Sequence, residues 1–259
     1  MTVSLRDSRA LVTGALGDIG SAIVKALASE GAVVVAAARD ATSFDAHRGR
    51  FAPFEDTVFP VGANLTEPGQ RDMLLDDSER AIGAPINTLV IAHGHRIPHG
   101  KIHSLDTGAL EEALATDLIA TMAIIQRAVP GMMASRFGRI VVIGSRLGQI
   151  GQPKSPINSM VKAALEGLVR NIAIDFGRYG ITANVIAPGF VSGRRVRAQH
   201  PDHDEISRLE AAASTGRLVA PEEIGALCAF LCSARAGAIT GTVIPIDGGL
   251  HLGHALRTP

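Results

Sequence analysis

Tryptophan is missing from this 259-residue sequence, and tyrosine occurs once, at Tyr179. Any chemistry that relies on a phenol as acid or base has one residue to draw on. Cysteine is scarce too: Cys228 and Cys232 lie four apart within an apolar stretch. On a helix they share one face, predicted to be buried, where two thiols pack rather than bridge or bind metal. Reduced thiols fit a cytoplasmic setting. Net charge is absent, with 25 basic residues against 25 acidic ones, which removes the electrostatic case for a nucleic-acid partner. No apolar run reaches the roughly 18 residues that cross a bilayer. Residues 1–8 are too short and polar to read as a secretory signal.

What is present is alternation. Apolar runs at 10–13, 33–38, 58–61, 88–92, 140–143, 183–187 and 243–246 read as strands, nearly continuous in hydrophobicity as buried parallel strands are. Between them, 19–30, 70–82, 108–136, 159–178 and 222–233 read as helices. This order predicts an α/β chain: a single Rossmann-type doubly wound domain over 1–259, about seven parallel strands with helices on both faces. Residues 40–56 are polar and weakly patterned, so that crossover is predicted to be partly loop, and 190–217 reads as irregular.

After the first strand comes Thr13-Gly14-Ala15-Leu16-Gly17-Asp18-Ile19-Gly20, opening a helix. Glycines there let backbone approach a pyrophosphate that rests on helix N–H groups, although a plain strand–helix turn uses glycine as well. The segment resembles the T-G-x-x-x-G-x-G signature of the short-chain dehydrogenase/reductase family, with Asp18 at the usual middle glycine. The resemblance extends over essentially the whole chain and implies a nicotinamide cofactor held by Gly14, Leu16, Asp18 and Ile19. The second strand ends Ala38-Arg39 without the acidic residue of NAD-preferring relatives. Arg39 then offers a cation to a 2′-phosphate, favouring NADP(H) over NAD(H), unless it is a solvated surface arginine. Asn64 and Leu65 fall beside the expected adenine, and Ala92 and Gly94 where the family reads N-N-A-G. Pro188, Gly189 and Val191 match the segment beside the nicotinamide; its usual threonine becomes Gly193, with Ser192 as a stand-in.

The family's chemistry uses Asn, Ser, Tyr and Lys. Ser145 matches the serine, and Lys162 follows at the usual offset of 17. The tyrosine belongs one helical turn before the lysine, where Asn158 stands, and the helix asparagine is replaced by Asp117. An amide has no proton to exchange near neutral pH, so Asn158 can hold an oxygen but cannot act as acid or base. Asp117 offers a second proton route, or only a counter-ion for Lys162. Arg146, beside Ser145, can meet an anionic group or serve only as a surface residue. His93, His95, His99 and His103 crowd the loop after the fourth strand. His95, two residues beyond Gly94, is the candidate replacement acid or base, against an ordinary exposed histidine. The irregular loop spacing is weak evidence for a metal site, and none is expected.

Three functions therefore stay open: an NADP(H)-dependent carbonyl reductase or alcohol dehydrogenase with a substitute proton donor; a dehydratase, isomerase or cyclase on the same fold; or a silent binding member. NAD(H), or no cofactor at all, stays open beside them. The resemblance further implies a small-molecule substrate, a lid over 190–217 rich in arginine, and a symmetric homo-oligomer, tetramer or dimer, paired through its long helices.

Overall fold

A computed structural model describes residues 4–40, 42–45 and 48–252; the readings over 1–8 and 40–56 fall partly outside them. Among the described residues seven strands form one wholly parallel sheet. They are β1 (Arg9–Thr13), β2 (Val33–Ala38), β3 (Val58–Gly62), β4 (Thr88–Ile91), β5 (Gly138–Ile143), β6 (Ile181–Pro188) and β7 (Val243–Ile246), in the order β3-β2-β1-β4-β5-β6-β7. Every residue of β5 and β6 is buried, as expected of strands covered on both faces. The edge strands β3 and β7 carry Pro60 and Pro245, where the missing N–H costs least.

The helices are α1 (Asp18–Ser29), α2 (Thr42–Asp45), α3 (Pro68–Ile82), α4 (Thr107–Ala113), α5 (Ala120–Ser135), α6 (Pro156–Phe176), α7 (Arg194–Gln199), α8 (His203–Ala212) and α9 (Pro221–Cys232). Two cores result, one on each face of the sheet. Ile23 and Leu27 of α1 pack with Ile224 and Cys228 of α9 over Val34 and Val90. Leu74 of α3, Ile124 of α5 and Leu165 of α6 cover Leu89 and Ile140 on the other. Both cysteines are buried in the first core and unbridged; hydrogen bonding to Cys232 and burial push the Cys228 thiol up. The strand order reverses between β1 and β4, so their carboxyl ends, at Thr13 and Ile91, flank the crevice where α/β sheets bind ligands.

Two helical readings need correction. The single helix read over 108–136 is interrupted by a π turn, Leu114–Ile119, between α4 and α5. The extra residue in that turn brings Asp117 inward, to 2 % exposure. Side chains complete the turn's hydrogen bonding: the Thr116 carbonyl accepts from His93 Nε2 at 3.0 Å, and the Asp117 carbonyl accepts from Thr121 Oγ1 at 2.6 Å. Periodicity cannot show such an insertion, because the apolar stripe resumes after it. The stretch read as irregular over 190–217 contains α7 and α8. Only Val196 is buried in α7 and nothing in α8, so neither writes an apolar stripe into the sequence. Among the described residues, the crossover read as partly loop holds the four-residue α2 and two single-turn 3-10 helices, Arg48–Arg50 and Ala52–Phe54.

His93 ties the first strand to the π turn. Its Nδ1 accepts from Thr13 Oγ1 at 2.8 Å while Nε2–H donates to Thr116, an arrangement that uses the neutral ring. Burial pushes its pKa down to about 4, against the opposing pull of Asp117 and the Thr116 hydrogen bond. An unfolded histidine takes its proton near pH 6.5, so between pH 6.5 and 4 the unfolded state binds the extra proton. Stability is therefore complete above pH 6.5 and falls by about 3 kcal/mol toward pH 4. In urea titrations across this range His93→Ala is expected to flatten the slope while lowering stability at neutral pH. An unchanged slope would assign the acid sensitivity to other groups.

Candidate active site

The loop from β1 into α1 turns on Gly14, in the left-handed region at φ +64°, where a Cβ would stand 2.7 Å from the Ala92 carbonyl oxygen. At Gly20 a Cβ would lie 2.1 Å from the Gly14 carbonyl oxygen, so both glycines are imposed by backbone contact. No side chain caps α1, and its first-turn N–H groups, Ile19 among them, stay open for an anion. Gly14, Leu16, Ala38 and Arg39 line a cavity of about 300 Å³ beside this loop. Arg39 is exposed and makes no hydrogen bond among the described residues. Its neighbour Asp40 is engaged locally, accepting from Thr42 Oγ1 at 2.7 Å and Ser43 N at 2.7 Å, and these bonds hold its carboxyl below the usual range. A backbone cradle, an open helix terminus and an uncommitted guanidinium fit a phosphorylated dinucleotide.

The other residues of this end are placed as follows. Asn64 Oδ1 accepts from Thr66, closing its own turn, and Leu65 packs on the second core. The Ala92 N–H donates to Thr13 Oγ1 at 3.2 Å. Gly189 follows Pro188 where a Cβ would meet Asp247 Cβ at 2.6 Å, and Val191 is bridged to Val219. Asp18 does not face the open N–H groups. It is paired with Arg194 at 2.9 Å.

At the chemical end one carboxylate organises its neighbours. Asp117 Oδ2 accepts from Lys162 Nζ at 3.1 Å, and Oδ1 accepts the His95 backbone N–H at 2.6 Å. The Lys162 side chain is 11 % exposed, so the pair is nearly dry. Gly94 passes beside it; a Cβ there would be 3.5 Å from Asp117 Oδ2, an ordinary contact. The His95 ring is turned toward Glu112, with Nε2 3.4 Å from Oε2, and is a third exposed. Ser145 closes β5, and its Oγ accepts from Leu147 N at 3.2 Å, leaving the hydroxyl hydrogen without an acceptor among the described residues. Asn158 is half-buried in the first turn of α6, and its amide makes no hydrogen bond among them. No hydrogen bond joins Ser145, Asn158 and Lys162 to one another. The loop histidines are dispersed: His93 is half-buried, His99 Nδ1 meets Ser155 Oγ at 3.3 Å, and His103 is exposed. Among the described residues no group of three or more His, Cys, Asp or Glu could hold a metal ion.

Arg50 and Glu112 gave no sequence signal, and Arg146 only its place beside Ser145. Arg146 is half-buried rather than on the surface: it donates to Gln152 Oε1, and its guanidinium lies 5.2 Å from the centre of the Phe190 ring. Burial pulls its pKa down, against the attraction of Asp247. Arg50 reaches the Leu16 carbonyl from the α2 crossover. Glu112 became visible only because α4 places it against His95.

Residues 14–251 match the family model described as enoyl-(acyl carrier protein) reductase. The chain is 33 % identical over 248 residues to the 3-oxoacyl-(acyl-carrier-protein) reductase MabA of Mycobacterium avium, covering 94 % of this chain and 90 % of that one. It is 30 % identical over 259 residues to the acetoacetyl-CoA reductase of Cupriavidus necator, covering 94 % and 98 %. A gluconate 5-dehydrogenase from Burkholderia cenocepacia, solved in complex with NADP and tartrate, superposes with a TM-score of 0.87 at 26 % identity, covering 97 % and 98 %. The seven-stranded parallel sheet, the glycine loop at its switch point and these matches agree: the chain belongs to the short-chain dehydrogenase/reductase family and is an enzyme of that family.

Proposed function

We propose that the protein is an NADP(H)-dependent carbonyl reductase or alcohol dehydrogenase that works without the family's tyrosine. The observation that carries this reading is the cavity beside the open end of α1, with Arg39 at its wall and the Asp40 carboxylate there drawn, through Oδ1, into its own turn with Thr42 and Ser43. The bound NADP of the Burkholderia relative and the reductase names of the MabA and acetoacetyl-CoA relatives support it. Arg39 binds the 2′-phosphate; the backbone at Gly14, Leu16 and Ile19 holds the diphosphate; Asn64 and Leu65 flank the adenine. Ala92, Gly94 and Lys162 hold the second ribose, and Pro188, Gly189 and Val191 border the nicotinamide, which supplies or accepts the hydride when bound.

Ser145 donates its uncommitted hydroxyl hydrogen to the substrate oxygen, and the Asn158 amide adds a second donor. Neither exchanges a proton near neutral pH. His95 fills that role, its ring being partly exposed and backed by Glu112. Asp117 holds the His95 backbone and Lys162 in one piece. The substrate is a small molecule with an anionic group, met by Arg146 beside Ser145. A non-redox reaction in the same site rests on one observation, the amide at Asn158 where reduction needs an acid.

Ile119 at the end of the π turn, Met122 in α5, and Met160 and Ile174 on α6 are exposed, apolar side chains that a second copy of the chain would cover in a dimer or tetramer. No described helix is long and apolar enough to cross a membrane, which with two reduced cysteines suits a cytoplasmic enzyme.

Calorimetric titration is expected to show NADPH binding tighter than NADH, with Arg39→Ala weakening NADPH about tenfold and leaving NADH unchanged. Equal affinities in the parent protein would remove Arg39 from cofactor choice. With acetoacetyl-CoA as probe substrate, His95→Ala is expected to slow NADPH oxidation by about 100-fold or more, the lower range for a lost general acid. Asn158→Tyr should give no gain, since a phenol fills the space the amide leaves. A large gain from the tyrosine would mark a degraded reductase, and full activity in His95→Ala would exclude the histidine. Light scattering at micromolar concentration should give the mass of a dimer or tetramer; a monomer would refute the assembly.

A further inference from the structure

Asp18 stands at the first position of α1, yet it caps nothing there. Its carboxylate turns toward the segment after β6: Oδ2 accepts the Arg194 backbone N–H at 2.7 Å and Oδ1 accepts Arg194 Nε at 2.9 Å. Burial would raise the Asp18 pKa, but the Arg194 and Arg195 hydrogen bonds prevail and hold it below the usual carboxylate value. Gly193 permits the approach. At φ +152°, it leaves the place where a Cβ would lie 2.5 Å from Asp18 Oδ2. From the same side Arg194 Nη2 donates to the Leu16 carbonyl at 3.0 Å, and Arg50 Nη1 donates to that oxygen at 2.6 Å. Two guanidinium groups therefore converge on the glycine loop with one carboxylate beside them, and burial, with the charge of Arg194, pulls the Arg50 pKa down. The cluster is one negative charge short, at the edge of a helix terminus that is itself open to anions.

Building on the reading of this end as a dinucleotide site, we propose that Arg194 and Arg50 are the charged groups that bind the cofactor diphosphate, and that Asp18 occupies Arg194 until the nucleotide replaces it. The Arg194 side chain is 62 % exposed in its pair with Asp18, and an ion pair of that kind contributes little and is readily exchanged. A diphosphate offers more charge and more acceptors to a planar guanidinium than one carboxylate does. Because Arg194 begins α7, the exchange also releases the lid segment from the glycine loop and couples nucleotide binding to its position.

Binding of NADPH, followed by its fluorescence, and of ADP-ribose, followed by calorimetry, tests this on the full chain. Asp18→Gly and Asp18→Asn are both expected to tighten the two ligands, the glycine by about tenfold, since each removes the competing charge. Arg194→Ala and Arg50→Ala are expected to weaken both ligands by a similar factor, and Arg194→Ala to do so also when combined with Asp18→Gly. Unchanged or weaker binding in both Asp18 variants overturns the proposal, as does parent-like binding by Arg194→Ala. If the affinities follow the expected order but no carbonyl is reduced, the reductase reading fails and this one stands; if no variant binds either ligand, both fall.

Discussion

A carboxylate buried to 2 % exposure cannot be left without compensation, and the arrangement of the chemical end follows from how Asp117 is satisfied. Lys162 supplies the opposite charge from α6, and the His95 N–H supplies a hydrogen bond from the loop after β4. The π turn that carries Asp117 is in turn held by His93, which also grips Thr13 at the head of the glycine loop. One charge thus links three segments: the end of β1, the loop after β4 and the first turns of α6. Losing one member of such a pair leaves the other buried and unpaired, at a cost of about 3–5 kcal/mol. Asparagine at position 117 would accept and donate weakly and would not require a cation to face it. Aspartate does, and it fixes Lys162 whether or not a tyrosine stands one turn earlier.

The same logic separates the two ends of the crevice. At the chemical end charge is buried and rigidly paired; at the nucleotide end Asp18, Arg194 and Arg50 are paired near the surface, where water screens them and partners can change. A site that must hold a lysine and a histidine at fixed places suits the first arrangement. A site that must admit and release a charged ligand suits the second. At the chemical end Ser145 and Asn158 keep uncommitted donors, which is the capacity needed to hold an oxygen atom.

The seven strands, their parallel sheet and the helices that cover it were legible because burial on both faces writes long Val, Ile and Ala runs, and glycines at 14 and 20 are the only residues the tight β1–α1 turn admits. The register of Asn158 and Lys162 on α6 was likewise readable, since a helical turn fixes a spacing of four. The π turn was not: one added residue leaves the apolar stripe intact on either side. Nor were α7 and α8, whose faces are almost wholly solvated.

Local chemistry and periodicity are properties of neighbouring residues, so the sequence by itself determined the fold class, the position of the glycine loop and the absence of a tyrosine before Lys162. Which charges meet depends on segments far apart in the chain. Asp18 and Arg194 are separated by 176 positions and Lys162 and Asp117 by 45. Nothing in the spacing of those residues announces that they touch. Only the folded sheet, by bringing the loops after β1, β4, β5 and β6 to one edge, decided that Asp18 would answer to Arg194 and Asp117 to the lysine.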